Sequence, residues 1–218
     1  MPKWFSDEEK EKIRIQLLEQ GEKQFSRFGF KKTNVNEIAA AVGISKGAFY
    51  RFYESKELLF MDIIEQIEIR GRKEILTAID LPGPSPRGRL FRLFKKAFEL
   101  FAEFPILQVL SGTDFDILLR GVPVETFQDH VASDQGFFVE FSERCQKAGI
   151  PIQINANELL ALIYPLVFSY LSGLGNGKQN LMGNIDMHLE LIAAYCLGEI
   201  TLKNQVSGGM DKSYEEGK

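Results

Sequence analysis

Residues 33–60 read TNVNEIAAAVGISKGAFYRFYESKELLF, and the punctuation in this stretch sets out a run of short helices. Asn34 can cap one helix with Glu37 as its capping-box partner, which puts Val35, Ile38, Ala39 and Val42 on one face. Gly43 stops it. After Ile44, Ser45 can cap a third short helix whose inward residues are Phe49 and Phe52, three positions apart. Ser55 then caps a fourth, running through Leu58, Leu59, Ile63, Ile64 and Ile67 to the region of Arg72. The serines mark helix starts, where a hydroxyl satisfies amides that have no partner inside the helix.

Upstream, Ile13, Leu17, Gly21 and Phe25 recur at intervals of four, with Leu18 and Phe28 widening the stripe. Ser6 and Glu9 can form a capping box for this first helix, and Gly29 ends it. Downstream, the Pro/Gly-rich segment 80–88 breaks the chain. Leu90, Phe94, Phe98 and Phe101 then mark an amphipathic helix closed by Pro105, and a further helix starts near Pro123 with Phe127, Val131, Phe138 and Phe141 inward. Two long helices are expected at 156–172 and 185–202. No run of strand-like alternation stands between turn signals, so the fold class is all-α.

Segment 159–177 carries no charge, but Pro165, Ser169, Ser172 and several glycines interrupt it, and its strongly apolar part is too short to cross a bilayer. It reads as a helix buried in a core or a subunit interface, with no membrane partner. Residues 205–218 have almost nothing to bury and read as a disordered tail.

The net charge of −4 speaks at first against a polyanionic partner, but the average hides an asymmetry. Residues 1–56 hold 11 Lys/Arg against 8 Asp/Glu, and the remainder holds 15 against 22. Basic charge is concentrated where the short helices lie, so the two parts meet different partners. The two cysteines, Cys145 and Cys196, are far apart and suggest neither a disulfide nor a zinc site. The N-terminal stretch lacks the apolar core of a signal peptide, and a reducing cytoplasm is the expected location.

Two short helices joined through a glycine, the second opening with small and basic residues, have the outline of a helix-turn-helix. With Phe49 inward, Lys46, Gly47, Ala48, Tyr50 and Arg51 fall on the exposed, groove-facing side. Lys46 can reach a guanine edge or a phosphate, and Arg51 can do either with a bidentate fork. Ala48 offers a methyl to thymine, Gly47 lets the backbone approach closely, and Tyr50 can give its hydroxyl to a phosphate. Thr33, Ser45 and Lys56 are placed to donate to phosphates and fix register. On periodicity and charge alone, a solvated basic face is the competing reading.

Residues 10–60 resemble the N-terminal DNA-binding domain of TetR-type (TetR/AcrR) transcriptional regulators. The resemblance is carried by Thr33, by Ile38 and Ala39, by the turn Gly43, Ile44, Ser45, by the run Lys46, Gly47, Ala48, Phe49, Tyr50, and by Ser55, Lys56, Glu57. It implies a three-helix helix-turn-helix domain over 1–55 and a helical domain over 56–204 that binds a small effector and dimerises through the helices near 156–172 and 185–202. Such a homodimer would present two recognition helices about 34–36 Å apart to a palindromic double-stranded operator. Asn36 matches a position that reaches a base in some members. Phe52 stands where the family often has His or Tyr on a phosphate, and the hydroxyl of Tyr53 is a substitute for that contact.

Of the 18 phenylalanines, 11 lie beyond residue 86. Phe98, Phe101, Phe115, Phe127, Phe138, Phe141 and Phe168, with Tyr164, are candidate walls of an effector pocket, set against the plainer reading that each is ordinary core. Few charges on these faces point to an apolar or aromatic ligand rather than an anionic one, with Asn155 and His130 as further polar candidates. The family prior is a repressor released by its effector. The alternative keeps DNA binding without a small ligand, control resting on abundance or on a protein partner. Catalysis finds no support: His130 and His188 are isolated, no serine sits in a nucleophile elbow, and no His/Cys cluster suggests a metal. No cofactor is expected.

Overall fold

The computed structural model describes residues 5–111, 113–175 and 181–201. Every regular element among them is helical: α1 (Asp7–Lys32), α2 (Val35–Ala41), α3 (Lys46–Phe49), α4 (Lys56–Ala78), α5 (Pro86–Glu103), a 3-10 helix (Pro105–Ser111), α6 (Thr113–Gly121), α7 (Val124–Lys147), α8 (Ala156–Gly175) and α9 (Leu181–Cys196).

The helix starts follow the hydroxyl and amide caps. Ser6 Oγ accepts from Glu9 N at 3.2 Å while Glu9 Oε2 accepts from Ser6 N at 2.8 Å, the reciprocal box expected for α1. Ser45 Oγ accepts from Ala48 N at 3.1 Å and Ser55 Oγ from Leu58 N at 3.2 Å. Asn34 instead accepts from Asn36 N at 2.9 Å.

Two buried clusters organise the molecule. The first joins Leu17, Phe25 and Phe30 of α1, Ile38 of α2, Phe49, and Leu59, Phe60 and Ile64 of α4 to Ile106, Leu107 and Leu118 from the 3-10 helix and α6. At its centre the rings of Phe25, Phe30 and Phe60 lie 5.1–5.6 Å apart. Gly21 lets α1 and α4 approach: a Cβ there would sit 2.8 Å from Ile63 Cδ1. The second cluster gathers α5, α7, α8 and α9 around Leu90, Phe98, Phe141, Leu159 and Leu189.

Several boundaries differ from the sequence expectations. Gly29 does not simply end α1; it holds φ 77° and ψ 170°, and a last helical turn resumes beyond it. That conformation is open essentially to glycine alone. α4 runs past Arg72 to Ala78 because Ile75, Leu76 and Ile79 carry its apolar face onto the second cluster. The 3-10 helix and α6 were not anticipated, being too short to show a period. α9 stops at Cys196 rather than 202, and Gly198 with φ 69° turns the chain away. Residue 202 and the expected disordered tail, 205–218, lie outside the described residues. No helix among the described residues is long and apolar enough to cross a membrane.

Candidate nucleic-acid interface and internal cavity

α2 and α3 form the helix pair, with Gly43 at φ 75° making the turn between them. Phe49 is fully buried under α3, which leaves Lys46, Gly47, Tyr50 and Arg51 exposed on one side and Ala48 half-buried beside them. Asn36 and Ser45 are also exposed, although the Ser45 hydroxyl is engaged as the cap. This side of the molecule therefore gathers a lysine, an arginine, an exposed phenol and a side-chain-free backbone along one short helix and just beyond its end, the chemistry needed to meet phosphates and base edges.

Three of the expected contact residues point inward. The Thr33 hydroxyl donates to the Gly29 carbonyl at 2.7 Å, and the residue is buried. Lys56 Nζ donates to the carbonyls of Phe30 at 2.9 Å and Thr33 at 3.4 Å, and lies 4.4 Å from the centre of the Phe30 ring. Tyr53 is buried, and its hydroxyl donates to Asp62 Oδ2 at 2.6 Å, the same oxygen that Arg14 Nη2 reaches at 2.9 Å. Burial and the Asp62 carboxylate both push the Tyr53 phenol above its ordinary range, so it stays a donor to Asp62. In this structure the polar atoms of these three residues brace the helix junctions beneath the exposed face.

A cavity of about 290 Å³ opens between α4, α5, α6, α7 and α8. The structure brings all eight aromatic residues named as pocket candidates to its wall, with Phe127 and Phe168 still 42% and 39% exposed. Asn155 is elsewhere: it caps α8, its Oδ1 accepting from Glu158 N at 3.0 Å. His130 is on the wall.

The polar patch on that wall was not read from the sequence. Arg72 Nη2 pairs with Glu68 Oε2 at 3.0 Å and with Asp134 Oδ1, and Tyr164 donates to Asp134 Oδ2. Burial, reinforced by the Asp134 charge, raises the Glu68 carboxyl to about 8. A signal was present: Glu68 with Arg72 and His130 with Asp134 are spaced by four, so each pair shares a helix face. Both thiols are buried, and burial pushes each up to about 12, which leaves little thiolate for a redox switch.

Residues 17–63 match the model of the family described as bacterial regulatory proteins, tetR family. The HTH-type transcriptional regulator YuxN of Bacillus subtilis is 39% identical over 108 residues, covering 48% of this chain and 36% of that protein. The chain spans about a third of the length of the first curated relatives it matches. Among solved structures, FadR of Thermus thermophilus, a TetR-family repressor in complex with lauroyl-CoA, superposes with a TM-score of 0.61 at 23% identity, over 90% of this chain and 100% of that one. FadR of Bacillus subtilis, in complex with stearoyl-CoA, gives a TM-score of 0.61 at 15% identity, over 83% and 97%. Residues 17–63 thus carry a helix-turn-helix of the tetR-family pattern, and the all-helical fold around it is the one seen in these TetR-family structures.

Proposed function

We propose that this regulator is a homodimeric, cytoplasmic repressor that binds a palindromic operator and is released from it by a small, largely apolar effector held in the internal cavity. The observation that carries the reading is a shared wall. Ile64, Ile67, Leu107 and Leu118 line the cavity and also belong to the buried cluster that holds Phe25, Phe30 and Phe49 beneath the exposed face of α3. A ligand that displaces these side chains disturbs the packing under the reading helix. Operator and effector are then antagonistic by one coupling free energy, and about 1–3 kcal/mol corresponds to a 5–150-fold loss of DNA affinity.

Lys46, Gly47, Ala48, Tyr50 and Arg51 read the groove in this proposal, with Asn36 beside them. Residues 56–204 serve as the effector and dimerisation domain. The dimer face runs along α8 and α9, where Met187 and Leu191, four apart on α9, stand 57% and 52% exposed and offer apolar contacts to a second subunit.

The test is selection of bound sequences from a random duplex pool, then titration of the winner with an effector panel that includes lauroyl-CoA, the ligand named for the Thermus thermophilus protein. A palindromic winner, bound by two subunits and released by one compound class, is the expected result. Enrichment with no release across the panel would favour control by abundance or a protein partner. No enrichment would overturn operator recognition.

A further inference from the structure

The cavity is apolar except where Glu68 and Arg72 of α4 meet His130 and Asp134 of α7 and Tyr164 of α8. The hydrogen bonds in this patch are unevenly distributed. Asp134 has both oxygens engaged, one by Arg72 and the other by the Tyr164 hydroxyl. Arg72 is heavily engaged: Nη2 serves both carboxylates, and Nη1 donates to Ser133 Oγ at 2.8 Å. Glu68 is left with one oxygen underused, since Oε1 faces His130 Nε2 at 3.7 Å, too long for a hydrogen bond. Two carboxylates thus share one permanent cation, and His130 adds positive charge only when protonated.

We infer that the effector carries a single positive charge: an alkyl or aromatic molecule with one protonated amine or quaternary ammonium, seated with its cationic head against Glu68. The inference deepens, and rests on, the reading of this cavity as the effector site.

The charge count favours that head over others. A carboxylate or phosphate entering the patch would meet the acidic groups Glu68 and Asp134, which already hold the Nη2 edge of the guanidinium. A neutral head leaves Glu68 protonated and gains no ion pair there, whereas a cation can take the place of the carboxyl proton. A cation completes the balance at Glu68, and the rings add to it. The Arg72 guanidinium already lies 5.4 Å from the centre of the Phe137 ring, and Phe127 and Phe138 stand on the same helix along the wall. Aromatic faces attract ammonium heads in the same way.

Glu68 responds to what faces it. From its own helix these groups are Arg72 and Glu65; from α7, Asp134 and His130; from α8, Tyr164. The wall residues from α5, the 3-10 helix and α6 are apolar. With its carboxyl raised to about 8, Glu68 is largely protonated at neutral pH, and a bound cation would ionise it and release a proton. Ligand atoms of Glu68, His130 and Asp134 lie within 4.8 Å of one another, as a metal would require. Arg72, however, contacts both carboxylates, and a dication would have to displace its guanidinium.

The experiment compares three ligands with one chain length and different heads, decyltrimethylammonium, decanol and decanoate, by titration calorimetry below their micelle concentrations. The ammonium should bind at least tenfold more tightly than the alcohol, and decanoate most weakly. Ammonium affinity should rise tenfold per pH unit up to about 8 and then level off, with proton release read from buffers of different ionisation enthalpy, while decanol stays flat. In Glu68→Gln the ammonium advantage and the pH dependence should vanish, and retained decanol binding shows that the cavity is intact. Decanoate binding more tightly than the ammonium, or an ammonium advantage that survives Glu68→Gln, would overturn the inference while leaving the effector reading standing. If zinc stabilises the protein and the ammonium does not bind, a metal site replaces it. Binding of none of the three would refute the cavity as an effector site, and this inference with it.

Discussion

The ammonium of Lys56 lies 2.9 Å from the Phe30 carbonyl oxygen and 4.4 Å from the centre of the same residue's ring, so one cation joins the start of α4 to the end of α1. It also reaches the Thr33 carbonyl at 3.4 Å. Replacing it with alanine removes a charged donor from half-buried carbonyls, and such bonds are worth about 1.5–3 kcal/mol. Lys56→Ala should therefore lower unfolding stability by about 1–2 kcal/mol, since part of the site is wet. The salt dependence of DNA binding should keep its slope, because no phosphate contact is lost. A flattened slope at unchanged stability would restore Lys56 to the DNA contacts.

Arg51 behaves oppositely if it reads the groove. It is exposed beside Tyr50, just beyond α3. Arg51→Ala should cost about 1–3 kcal/mol on the selected operator, with relaxed preference at one base step. Equal losses on operator and random duplex would instead assign it to a phosphate.

Gly29 joins α1 to the cavity side. Its φ of 77° with ψ of 170° is essentially closed to other residues, and an added Cβ would sit 3.0 Å from Asp114 Oδ2, the oxygen that accepts from Lys31 N at 3.0 Å. Gly29→Ala should destabilise the protein by about 1–3 kcal/mol through backbone strain. Asp114→Ala strips only the bond to Lys31 N and should cost about 1 kcal/mol. Chemical denaturation of both variants checks the order. If Asp114→Ala proves the more damaging, the side-chain tie between α6 and α1 outweighs the strain.

Much of this could be read from the chain before the structure. Ser6, Ser45 and Ser55 announce their helices because a cap is a local event, settled within three residues. The inward Phe49 and the exposed Lys46 and Arg51 follow from helical spacing alone. The inward turn of Thr33, Tyr53 and Lys56 does not, because their partners, Gly29, Asp62 and Phe30, are set by how α1 and α4 cross. The wall patch was half legible. Each i, i+4 pair lies open in the sequence, but the meeting of Glu68 with Asp134 requires α4 and α7 to pack face to face. The 3-10 helix and α6 escaped because seven and nine residues are too few to show a period.

Glu68 also predicts a pH dependence of stability in the absence of ligand. Its carboxyl stands at about 8 in the folded chain against 4.5 as an unperturbed group, because burial and the Asp134 charge disfavour the ionised form. Between those values the folded state holds a proton that the unfolded state has lost. Unfolding free energy therefore falls as pH rises through this window, by at most about 1.4 kcal/mol per pH unit for one group, and levels off above it. Glu68→Gln keeps the shape and removes the titration. It should match the parent near pH 5 and exceed it in thermal midpoint at pH 8, the gap widening with pH between them. A series of melts at fixed ionic strength decides this. Parallel pH profiles for parent and variant would mean that the Arg72 guanidinium, 3.0 Å away, holds Glu68 ionised after all.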